Sequence, residues 1–145
     1  MNIVERFNEY AGAFEQTYED DDWSRIAPYF TDDATYRSYY GADLEVTGRD
    51  GVMEQFRADV EAFDRRFDSR RLEFEDGPRE EDGRVLSRWK VTYSKAELPD
   101  LVLTGTELAV FEGDCIALLE GAYAPETFGE FGAWLGKHGD FLHDE

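Results

Sequence analysis

Leu101-Val102-Leu103-Thr104-Gly105-Thr106-Glu107-Leu108-Ala109-Val110-Phe111 is followed by Glu112-Gly113-Asp114 and then by Cys115-Ile116-Ala117-Leu118-Leu119-Glu120-Gly121-Ala122-Tyr123. Two β-rich runs flank a short turn signal, so this stretch reads as a long antiparallel hairpin. Both of its faces are apolar. Leu108, Val110 and Leu118 fall on one face, and Ala109, Phe111 and Leu119 on the other. A sheet wet on one side would alternate apolar with polar more cleanly. One face therefore packs on the rest of the chain. The other is expected to meet a second copy of the protein across a two-fold axis.

Working outward, the strand pattern extends upstream. Val85, Trp89, Val91 and Tyr93 alternate with Arg88, Lys90, Thr92 and Ser94; before them Arg70, Leu72 and Phe74 alternate with Arg71, Glu73 and Glu75. Gly77-Pro78 through Asp82-Gly83 reads as a turn, and Pro99-Asp100 as a break. Four long strands joined by short connections imply an antiparallel meander. Helices precede it. Ile3, Phe7, Ala11, Phe14 and Tyr18 form one apolar stripe, ended by Glu19-Asp20-Asp21-Asp22. Asp22 is expected to cap a second helix over 23–30, with Trp23, Ile26 and Phe30 on one face. Thr31-Asp32-Asp33 reads as a turn, 34–40 as a Tyr-rich strand, and 41–48 as a loop or short hairpin arm. Val52, Phe56, Val60 and Phe63 mark a third helix over about 50–67, closed by Arg65 and Arg66. Pro125 opens a last helix that Gly129, Gly132, Gly136 and Gly139 weaken, so packing must hold it. Helices before a meander give an α+β fold, with three N-terminal helices on one face of a curved antiparallel sheet. The 145 residues make one domain, with a core over 1–124 and a helical extension over 125–145.

Composition narrows the function. Acidic residues outnumber basic ones 34 to 15, for a formal charge of -19. Such a surface repels phosphate backbones and anionic lipid, so no nucleic acid or membrane partner is expected. The bases are 12 arginines and 3 lysines (Lys90, Lys95, Lys137). An acidic, lysine-poor surface suits a salty cytoplasm; surface acid for solubility explains it equally well. A single cysteine and a start without a secretory pattern point to the cytoplasm. Cys115 has no neighbouring base to make it a nucleophile. His138 and His143 read as helix end and tail. The Asp run lacks calcium-loop spacing, and Arg65, Arg66, Arg70 and Arg71 read as helix-end charge and solvated strand rather than an anion site. No metal or cofactor signature is present.

The motifs Phe30-Thr31-Asp32-Asp33-Ala34-Thr35-Tyr36, Val46-Thr47-Gly48-Arg49-Asp50-Gly51-Val52 and Phe111-Glu112-Gly113-Asp114-Cys115-Ile116 appear in this order over residues 1 to about 124. In this the chain resembles the SnoaL-like branch of the nuclear transport factor 2-like superfamily. The resemblance implies a cystatin-like, cone-shaped α+β barrel with a pocket between concave sheet and helices, often dimeric through the convex face. It implies no single function, since isomerases, cyclases, hydrolases and non-catalytic members share the fold.

Alternation places Glu107 on the face of Ala109 and Phe111. The resemblance adds that the ketosteroid isomerase branch carries an oxyanion-donating acid at this position. A carboxyl in an apolar cone has a raised pKa and can act as acid or base; the bland alternative is an ion pair with Arg88 or Lys90. Glu120 falls on the opposite face, toward the expected dimer contact. Where the isomerase branch has a proton-shuttling Asp, this chain reads Ser38-Tyr39-Tyr40-Gly41; where cyclases have a last-strand Asp, it reads Glu120-Gly121. Tyr10, Phe14, Tyr36, Trp89, Tyr93 and Tyr123 are expected to line the pocket with Ala109, Phe111 and Leu119. Such a lining suits a hydrophobic or aromatic small molecule.

Overall fold

Six strands make one open, curved sheet in the order β2-β1-β6-β5-β4-β3. They are β1 (Phe30–Tyr39), β2 (Asp43–Thr47), β3 (Ser69–Glu81), β4 (Arg84–Ser94), β5 (Leu101–Glu112) and β6 (Cys115–Tyr123). The helices are α1 (Ile3–Asp20), α2 (Arg49–Ala62) and α3 (Pro125–His138). The structure is a computed structural model describing residues 2–39 and 43–143. The expected strand end at Tyr40 and the start of the loop at Gly41 lie outside the described residues.

The meander is present: β3–β4, β4–β5 and β5–β6 all pair antiparallel. One pairing differs from the expected all-antiparallel sheet. β1 lies parallel to β6, from which four strands and α2 separate it along the chain. The sheet also does not close on itself, so the cone is a half-wrapped trough with β2 and β3 as free edges. The hairpin arm expected before α2 exists as β2, paired to β1 from Thr35↔Thr47 to Tyr39↔Asp43.

Four local expectations are corrected. No helix spans 23–30; two 3-10 turns, Trp23–Arg25 and Ala27–Tyr29, stand there, and the Asp22 side chain makes no capping bond. Pro28 removes an N–H that a continuous helix would need. Thr31-Asp32-Asp33 is not a turn but an irregular part of β1, across which the pairing to β6 slips. α2 stops at Ala62, and a 3-10 turn, Asp64–Arg66, replaces its last turn. The strand β3 runs straight through Gly77-Pro78, with its register slipping from Phe74 to Arg79. Only Asp82-Gly83, both at positive φ, form the turn.

Two apolar clusters fill the concave side. One, around Phe7, Ile26, Phe30, Ala34, Val85, Ala109 and Ile116, packs the narrow end under α1 and α2. The other, around Phe67, Tyr93, Leu101, Leu103 and Trp134, seals the wide end under α3. The glycine-rich α3 is held as packing requires. The Trp134 indole donates to the Pro99 carbonyl at 3.1 Å, and Thr127 Oγ1 accepts from the Thr104 amide at 3.1 Å. No helix among the described residues is long and apolar enough to cross a membrane.

Candidate functional site

Between the two clusters the concave side stays hollow. The cavity has a volume of about 580 Å³. Cross-strand register explains why it opens there. Ser38 of β1 faces Gly121 of β6, Gly121 faces Glu107 of β5, and Glu107 faces Ser87 of β4. This row carries small and polar side chains, and on β5 Glu107 is flanked on its own face by the small Gly105 and Ala109. Toward the narrow end the next row is Tyr36, Leu119, Ala109 and Val85; toward the wide end it is Tyr123, Gly105, Trp89 and Phe74.

The cavity wall contains Glu107 together with Tyr10, Phe14, Tyr36, Trp89, Tyr93, Leu119 and Tyr123. Ala109 and Phe111, expected beside them, sit lower: Ala109 is fully buried, Phe111 packs on the narrow-end cluster, and neither reaches the wall. Glu107 makes no ion pair with Arg88 or Lys90, because its β4 neighbour is Ser87, while Arg88 lies level with Thr106. Burial pushes its carboxyl up to about 7, and burial is the one cause. Among the described residues no side chain hydrogen-bonds to it. Tyr10 and Tyr36 lie close enough to feel its charge. Ser87, 5 % exposed, buries a hydroxyl with no hydrogen-bond partner.

A second polar group lies toward the wide end. Arg70 is not the solvated strand residue its sequence context suggests. Its side chain is 8 % exposed, with Nη1 2.5 Å from Glu15 and Nε 2.8 Å from Asp64. Tyr93 donates to Asp64 Oδ2 at 3.3 Å. The guanidinium sits over the Tyr18 ring at 5.3 Å from its centre. Burial pushes the Asp64 carboxyl up, and Arg70 only partly offsets this. Asp59 and Asp43 stand at the rim, and burial also raises Asp59. Sequence reading missed Ser38, Asp59, Asp64 and Glu15 as wall residues. Arg70 was recoverable, since β3 alternation puts it on the face of Leu72 and Phe74.

The remaining candidates fall elsewhere. Glu120 points to the convex side, 3.8 Å from Arg37. His138 packs on Trp134. The Cys115 thiol is pushed up by burial and by Asp114. Among the described residues no three His, Cys, Asp or Glu side chains are grouped to hold a metal.

The sequence profile of the SnoaL-like domain matches residues 11–120, from the middle of α1 through α2 and the strands to within β6. The chain belongs to the SnoaL-like family. No curated protein is recognisably similar to it in sequence. Solved structures share the fold. A putative polyketide cyclase from Xanthomonas campestris superposes with a TM-score of 0.59 at 17% identity, covering 92% of this chain and 99% of that one. A ketosteroid isomerase-like fold from Catenulispora acidiphila, in complex with trimethylamine, gives 0.63 at 14%, covering 90% and 92%. TerC co-crystallised with polyporic acid gives 0.62 at 17%, covering 86% and 96%. Within this SnoaL-like chain, a carboxyl poised near neutrality at the floor of an aromatic cavity can lend or take a proton, or donate a hydrogen bond to a carbonyl oxygen.

Proposed function

We propose that this SnoaL-like chain binds a small hydrophobic or aromatic molecule in the cavity and that Glu107 exchanges a proton with it, as an isomerase, cyclase or hydrolase would. The observation that carries the reading is Glu107: unpaired among the described residues, lining the cavity, and raised to about 7 by burial. Two neighbours of the same fold were crystallised with small molecules, polyporic acid and trimethylamine, which supports a ligand-holding trough. Acetonaphthone is a suitable probe, because its α-protons exchange with deuterium under acid–base catalysis. Glu107→Gln keeps the shape and removes the proton. Exchange is expected to slow by ~100-fold, with the fold intact and the ketone still bound. Equal exchange rates in the two proteins would end the catalytic reading.

A second reading is a non-catalytic binding protein. It is favoured by Ser38 and Tyr39 standing where the isomerase branch places its proton-shuttling acid. Binding of acetonaphthone without any exchange above buffer would select it. On either reading the convex face invites a partner, since Leu108, Val110 and Leu118 are only half-buried in one copy. We infer that a second copy covers it. Val110→Glu should give a monomer or an insoluble protein, and wild-type sedimentation as a monomer at micromolar concentration would refute the dimer.

A further inference from the structure

Acidic groups outnumber basic ones on the cavity wall. Its walls among the described residues carry the carboxyls of Glu15, Asp43, Asp59, Asp64 and Glu107, against the single guanidinium of Arg70. That guanidinium is already spent on Glu15 and Asp64, so the trio retains a net negative charge. Asp59 has an amide for a partner: Gln55 donates to it at 2.8 Å. A neutral guest would strip water from these carboxylates and return nothing; an anion would meet no free base. A cation relieves them, and the aromatic faces of the wall attract it as well.

The acids act on overlapping sets of wall tyrosines. Glu107 acts on Tyr10 and Tyr36, Asp59 acts on Tyr36 as well, and Tyr123, packed against Phe128 and Phe131 of α3, feels Asp64 and Asp59 together. We propose that the guest is an organic cation, a protonated amine on an aromatic or hydrophobic skeleton, with its ammonium held near the rim between Asp59 and Asp64 beside the Tyr123 ring and its apolar body on the aromatic floor toward Glu107. This rests on the cavity being a small-molecule site and names the class of molecule. It leaves Glu107 free for the far end of the guest.

The test uses three probes of one shape: naphthylethylamine, naphthylethanol and naphthylacetate, titrated calorimetrically into the whole protein. The amine is expected to bind about tenfold tighter than the alcohol, and the acetate weakest. Asp59→Asn, an exposed rim position, should reduce that preference by about fivefold while leaving the alcohol unchanged. Glu80→Gln, an exposed acid on β3, is the control for bulk charge and should change neither. An alcohol that binds as tightly as the amine overturns the cation proposal and leaves the apolar-ligand reading standing. An acetate that binds tightest also overturns it and assigns Arg70 as an anion hook. Equal loss in Asp59→Asn and Glu80→Gln overturns the local site in favour of diffuse attraction. Binding of none of the three overturns both the cation proposal and the cavity as a site for such molecules.

Discussion

Glu107 carries its proton to about pH 7 in the folded chain, against 4.5 when the chain is open to water. Between those values the native state holds a proton that the unfolded state has released. Stability from this group is therefore complete below about pH 4.5 and falls as pH rises to about 7, by up to ~3 kcal/mol. Water admitted to the cavity reduces the figure. Glu107→Gln has no such slope, so wild type should lose ground to the variant across this window in chemical denaturation; parallel curves would show that the carboxyl is solvated. The residue was legible in the sequence because strand alternation needs only a parity count. Its surroundings were not. Register sets Ser87 opposite Glu107 on β4 and Ser38 in the same row beyond Gly121, and no single strand records register. Asp64 and Glu15 looked like ordinary helix charges, and only the buried Arg70 between them makes them part of the wall.

At the level of elements, the hairpin β5–β6 and the stripes of α1 and α2 were readable because each is a local repeat. The parallel β1–β6 contact joins segments about eighty residues apart. The 3-10 turns over 23–29 and the uninterrupted β3 departed from expectation because tertiary packing overrode local turn and cap signals. Ile26 is fully buried against the core, and β4 pairs with β3 on both sides of Gly77-Pro78. One glycine is fixed by packing between elements. Gly105 of β5 lies opposite Trp89 of β4, and a Cβ there would be driven into the indole and the Ala122 carbonyl. Gly105→Ala should cost about 2 kcal/mol and displace the Trp89 ring at the cavity wall. Thermal melting and near-ultraviolet circular dichroism check this; an unchanged melting temperature with an unchanged spectrum would contradict it.

Over the whole molecule, negative charge sets the electrostatics. Arg37 reaches Glu45 and Glu120, Arg57 reaches Glu54 and Glu61, Arg65 reaches Asp21 and Glu61, and Arg79 reaches Asp76 and Glu81. One planar guanidinium serving two carboxylates explains why arginine outnumbers lysine in so acidic a chain. These exposed pairs contribute little each and leave a charge of -19. Repulsion is greatest at low ionic strength, where the Debye length reaches roughly 30 Å. The melting temperature should therefore rise from millimolar salt to molar chloride, and a flat or falling curve would assign the acidity to solubility alone.

The open sheet leaves two strands with unpaired backbone, a standing template for chain-to-chain polymerisation. Both edges are blunted. β2 is five residues long and carries Asp43 and Glu45, so an incoming strand finds little length and like charge. β3 is longer, but Pro78 offers no N–H, the register slips around it, and Glu73, Glu75, Glu80 and Glu81 stand exposed along its length. The trough can thus stay unclosed, and keep room for a guest, without seeding fibrils.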